Sequence, residues 1–108
     1  MTEKLPRVLA DYFDATNAHD VGAMIATFTE DAIVHDEGRD HVGVSAIRAW
    51  MKETIEKYDY KVEPIESSRN GSSAVVLVSL RGQFPGSPIT LQYAFTLSGE
   101  RVARLEIG

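Results

Sequence analysis

Apolar positions recur with a helical period through the first half of the chain and with a two-residue period through the second. Leu5, Val8, Leu9, Tyr12 and Phe13 make one stripe, which predicts a helix over residues 3–18. Thr2 is its expected cap, and Pro6 is tolerated because it falls in the first turn. Asp20 is an expected N-cap for a short second helix, on which Val21, Met24, Ile25 and Phe28 repeat the pattern. Thr29, Glu30 and Asp31 break that helix, and residues 32–36 form a short strand centred on Ile33 and Val34. Residues 37–43 are polar and glycine-bearing, which predicts a loop. A third helix, capped near Ser45, places Ile47, Trp50, Met51, Thr54, Ile55 and Tyr58 on one face and a favourable Glu53–Lys57 pair on the other.

From residue 60 the pattern predicts four strands, at 60–67, 74–84, 89–97 and 101–107. They are separated by Asn70-Gly71, Pro85-Gly86-Ser87-Pro88 and Ser98-Gly99, and connections this short make an antiparallel meander. Pro64 marks the first of these strands as an edge or a bulge, and Gly82 predicts a bulge or sharp bend. Ile89, Leu91, Tyr93, Phe95 and Leu97 share one face of their strand, opposite Thr90, Gln92, Ala94 and Thr96. The strand before it is apolar on both faces, with Val76, Val78 and Leu80 on one and Val75 and Leu77 on the other. A second apolar face calls for a cover, and a second copy of the chain is the expected one. The resulting class is α+β, three N-terminal helices packed on a curved antiparallel sheet.

At 108 residues a single domain, 1–108, is the expectation. Sixteen acidic and eleven basic side chains give a net charge of −5, and no basic stripe interleaved with aromatics appears, which argues against nucleic acid. The absence of cysteine excludes disulfides, thiolate metal sites and thiol catalysis. No basic start leads into an apolar stretch, and no run approaches the ~18 apolar residues of a membrane span, so a cytoplasmic protein is expected. There is no glycine pattern for a nucleotide, and no cofactor is called for.

The order of elements, helix, short capped helix, short strand, helix and bent meander, resembles the nuclear transport factor 2-like cone. Local residues carry the resemblance further. Tyr12 precedes Asn17-Ala18-His19-Asp20, and Met24 to Phe28 leads into Glu30-Asp31-Ala32-Ile33-Val34-His35-Asp36. A glycine then precedes Ile47-Arg48 on a helix. This run is similar to the N-terminal half of ketosteroid isomerases and SnoaL-like polyketide cyclases. The resemblance implies a central pocket with Asp36 as the general base and Tyr12 as donor to the developing oxyanion. Where the isomerases carry a second, protonated acid stands Tyr93, whose phenol can give the same hydrogen bond. Val34, Trp50, Leu91 and Phe95 are the expected pocket wall around a small apolar carbonyl compound. The second apolar face of the strand at 74–84, separately, makes a homodimer through the sheet face the expected assembly.

The residues themselves leave two readings at each position. Asp36 alternates with Val34 and Ala32, so it shares their inner face. It is either a base drawn toward neutrality by apolar surroundings or a strand-end carboxylate bonded to backbone or to Arg39. Tyr12 and Tyr93 are either cavity donors or core phenols. His35 points to the opposite face from Asp36, which works against a His35–Asp36–His41 metal cluster. The corresponding functions are proton transfer beside a carbonyl or non-catalytic binding and dimerisation.

Overall fold

The computed structural model describes residues 5–108; the expected cap at Thr2 and helix start at Glu3 lie outside the described residues. The first helix, α1 (Arg7–Asn17), begins after Pro6, which takes the N-cap position rather than a place inside the first turn. Pro6 lacks the N–H that an inner position would have to bond, and its carbonyl accepts from Leu9 and Ala10. Ala18 is the C-cap and His19 follows with a φ of 54°. Asp20 caps α2 (Val21–Ile25) as expected, its Oδ1 accepting from the Ala23 N–H at 3.1 Å.

The strand β1 (Phe28–Asp36) starts earlier than the pattern indicated, so Phe28 and Thr29–Asp31 belong to it rather than to a helix and its break. The cause is a long-range pairing: Phe28 aligns with Val102, whose N–H donates to Thr27 O at 2.7 Å. The expected loop at 37–43 is instead a hairpin. Glu37 and Gly38 both have positive φ, 53° and 74°, which makes a two-residue turn of the type that matches strand twist. It leads into β2 (Arg39–Val42), paired antiparallel with β1. Gly43, with φ 86°, then stands at the N-cap of α3 (Val44–Tyr58), two residues before the expected Ser45.

The remaining strands are β3 (Lys61–Asn70), β4 (Ser73–Arg81), β5 (Ile89–Ser98) and β6 (Arg101–Ile107). They form the predicted meander, but the sheet is larger and mixed: six strands in the order β2-β1-β6-β5-β4-β3, with β1 parallel to β6. An all-antiparallel sheet was the expectation. It fails because β1 reaches β6 through a long connection that contains α3 and the meander, which permits a parallel neighbour. Pro64 satisfies both of its expectations, since β3 is an edge and its register slips between Pro64 and Glu66. Gly82 lies just past the end of β4, which stops at Arg81 instead of continuing to Phe84.

The helices cover the inner face of the sheet. Leu9, Tyr12 and Phe13 of α1 meet Phe28 and Phe95, with Tyr12 edge-on to Phe13, Phe28 and Phe95 at 5.3, 5.7 and 5.8 Å. The end of α1 is tied to β3 through one side chain: Asn17 Nδ2 donates to Val62 O at 2.9 Å and its Oδ1 accepts from Val62 N at 2.7 Å. His19 Nε2 lies 2.9 Å from Tyr60 O beside it. Asn17→Ala leaves both Val62 backbone groups without these partners. We expect a loss of about 2 kcal/mol in denaturant unfolding, larger than for Ala substitution at an exposed helix position.

Candidate functional site

The inner layer is not filled along its whole length. At the end formed by Phe95, Tyr12 and Phe13 the rings are in mutual contact. Toward the start of β5 the packing opens into a cavity of about 320 Å³. Trp50, Thr54 and Tyr58, each four residues apart on α3, present one stripe to it. Ile89, Leu91 and Tyr93 face it from alternate positions of β5, joined by Leu80 of β4 and Ile107 of β6. Phe84 and Pro85, beyond the end of β4, and Tyr60, just after α3, complete the apolar wall. Asp36 and Glu37, at the tip of β1, bring the two carboxyl groups.

Ala32 and Val34 are wholly buried on the inner face of β1, and Asp36 follows two residues later where that face meets the cavity. Its Oδ2 accepts from the Trp50 indole N–H at 3.0 Å. Burial raises the Asp36 carboxyl above its ordinary value, the Trp50 hydrogen bond opposes this, and the Glu37 charge adds to it. His41, whose ring lies 5.8 Å from Trp50, pulls it down a little. Trp50→Phe keeps an aromatic ring and removes the donor. The Asp36 carboxyl is then expected to titrate at higher pH, read by carbon NMR of the aspartate side chains.

Three phenols share this electrostatic neighbourhood, because Asp36 raises the pKa of Tyr12, Tyr60 and Tyr93 alike. Burial is the dominant cause in each; it pushes Tyr60 up to about 12 and the other two well above the ordinary phenol. All three are therefore protonated at neutral pH, a form that can donate a hydrogen bond but cannot serve as a base.

Of the residues expected at a site, Asp36, Tyr93, Trp50 and Leu91 are brought together on the cavity wall. Tyr12, Val34 and Phe95 are 1%, 0% and 1% exposed and are not among the lining residues. They lie where the same faces of α1, β1 and β5 are filled. Tyr60, Thr54 and Tyr58 join the wall unanticipated. The spacing of Thr54 and Tyr58 from Trp50 was a usable signal, whereas Tyr60 is positioned by the left-handed turn at Asp59 (φ 45°) and has no periodicity to announce it. His35 faces away, its Nδ1 2.7 Å from Asp40 Oδ1. No helix among the described residues is long and apolar enough to cross a membrane.

This arrangement of helices over a six-stranded sheet is the nuclear transport factor 2-like, ketosteroid isomerase-like fold, and similar structures bear this out. A ketosteroid isomerase-like protein from Catenulispora acidiphila, in complex with trimethylamine, matches with a TM-score of 0.86 at 17% identity over 97% of this chain and 86% of that one. SalBIII, an epoxide hydrolase/cyclase-like enzyme in pyran ring formation of salinomycin, matches at 0.82 and 23% identity over 93% and 85%. A candidate polyketide cyclase from Sinorhizobium meliloti is 45% identical over 96% of this chain and 95% of that one, with a TM-score of 0.94. The sequence pattern of the SnoaL-like domain matches residues 9–104, and the chain belongs to that family. No curated protein matches it.

Proposed function

We propose that this chain takes a small, largely apolar carbonyl compound into the cavity and moves a proton at the carbon beside the carbonyl, as an isomerase or cyclase that needs no cofactor. Asp36 is the base, and the phenol of Tyr93, with Tyr60 near it, holds the enolate oxygen. Tyr12, the donor implied by resemblance, is packed in the core in this reading. The observation that carries the proposal is the Asp36 carboxyl, lifted by burial, fixed by Trp50 and standing on a largely apolar wall. A carboxyl raised by burial is a stronger base than an exposed aspartate. The buried phenols offer protons without being able to lose them. The likeness to a candidate polyketide cyclase supports the reaction class, and the trimethylamine held by one neighbour supports a small-molecule role for the fold.

In the same reading, Val75 and Leu77, half-buried on the outer face of β4 beside Ala94 and Gln92 of β5, belong to a homodimer surface. The test of the activity is proton exchange into D₂O at the α-carbon of a panel of cyclic ketones, followed by NMR. Exchange that is catalysed by the protein and lost in Asp36→Asn supports the proposal. Binding with no exchange of any ketone supports a non-catalytic module instead.

A further inference from the structure

Among the described residues the cavity wall carries two carboxyl groups, Asp36 and Glu37, and no lysine, arginine or histidine. Its remaining polar side-chain groups are hydroxyls and the Trp50 indole N–H, which is already given to Asp36, and five of its residues are aromatic. An anion entering this space meets carboxylates and no counter-charge. A neutral ligand gains contact area alone. An ammonium centre with its charge spread over alkyl groups gives up little hydration, and gains both the faces of aromatic rings and the carboxylate of Asp36. One ring here already attracts an ammonium: Lys57 Nζ lies 5.1 Å from the centre of Tyr58, on the side of a neighbouring cleft and not of the cavity.

We propose that the cavity prefers a tertiary or quaternary ammonium centre carried on an apolar or aromatic skeleton, seated beside Asp36 among the rings of Trp50, Tyr60 and Tyr93, and that it rejects anions. The inference rests on the reading of this cavity as the ligand site and narrows the class of compound it takes. It also fits the chemistry, since an ammonium next to the α-carbon of a ketone makes that C–H more acidic. The positive centre and the base then lie on the same side of the ligand.

Trp50 is the sole tryptophan of the chain and stands on the wall, so its fluorescence reports occupancy of this cavity. Three probes of one shape separate the charges: phenyltrimethylammonium, tert-butylbenzene and benzenesulfonate. The cation is expected to bind at least about tenfold more tightly than the neutral probe, and benzenesulfonate to leave the emission unchanged. Asp36→Asn should reduce that preference to below about threefold while holding affinity for tert-butylbenzene within about twofold. Glu37→Gln, on the exposed turn, should reduce it by a smaller factor, and it stands in if the first variant does not fold. Equal binding of the neutral probe, binding of benzenesulfonate, absence of binding by all three, or a preference untouched by both variants overturns the proposal. The two readings fail separately. A cation preference without catalysed exchange removes the activity alone, and exchange of neutral ketones without cation preference removes this inference alone.

Discussion

Asp36→Asn is expected to lower α-proton exchange by roughly 10²–10⁴-fold, the range a positioned general base supplies, and at the same time to raise the melting temperature at pH 7. The two effects have one cause. The Asp36 carboxyl is raised in the folded chain, first by burial, from the 3.8 it has when unfolded. Between 3.8 and that higher value the folded state holds more protons than the unfolded state, so stability falls as pH rises through this window. Above it, the full cost of a desolvated carboxylate is present. Asparagine keeps an oxygen to accept from the Trp50 N–H at 3.0 Å and carries no charge to desolvate. The variant should therefore melt above the parent at neutral pH, with the gap closing as pH falls to about 4, below which the parent's carboxyl is also neutral. Exchange by the parent should rise with pH through the same window, because only the ionised form takes a proton. Calorimetry across pH 3.5–8 beside the exchange assay checks both. A variant that melts below the parent at pH 7 would mean that Asp36 is stabilised as an anion, and the base assignment would go with it.

The fold was legible wherever a face was buried along an entire element. The α1 stripe, the α3 face and the alternation of β5 each sit where periodicity placed them, because burial of one face is what writes a period into a sequence. The β1–β2 hairpin was not legible. Its turn depends on positive φ at Glu37, a residue type that does not advertise it, and β2 is a short strand of mostly exposed side chains that leaves no apolar signal. The parallel β1–β6 pairing was hidden for a different reason: it joins residues some seventy apart, and a single sequence carries no record of which edges meet. The site divided along the same line. Asp36 and Tyr93 were readable from their faces. Which part of that face is filled and which is open was not. Phe95 and Tyr93 differ by one repeat on β5 and both touch Phe13, yet Phe95 is also closed over by Tyr12 while Tyr93 borders the cavity. That boundary depends on the size and tilt of the opposing helices, so the sequence leaves Tyr12 open between cavity donor and core phenol and does not point to Tyr60.

Gly82→Ala is expected to be the most damaging single-methyl change on the cavity's frame, lowering stability by about 3 kcal/mol. Its backbone does not lie in the left-handed region, so the requirement is for space and not for conformation. A Cβ at this position would sit 2.6 Å from Tyr58 O and 3.0 Å from both Cα and Cβ of Tyr60. The first two are backbone atoms and cannot rotate aside. Moving the segment away breaks the Gln83 N–H to Tyr58 O bond of 2.7 Å and strains the Gly82 N–H to Ser87 Oγ bond of 3.0 Å. For a domain of this size the loss corresponds to a fall of more than about 10 °C in melting temperature. Gly86→Ala is the control: its φ of 87° disfavours a side chain, but the added Cβ has nothing nearer than Ile89 Cγ2 at 3.7 Å. There the cost is conformational and about 1 kcal/mol. If the two variants melt together, close approach is not what holds Gly82. If Gly82→Ala falls well below, the junction after α3, the segment carrying Phe84 and Pro85, and the position of Tyr60 are one rigid frame. The part of the cavity wall that Tyr60, Phe84 and Pro85 form then owes its shape to a residue with no side chain.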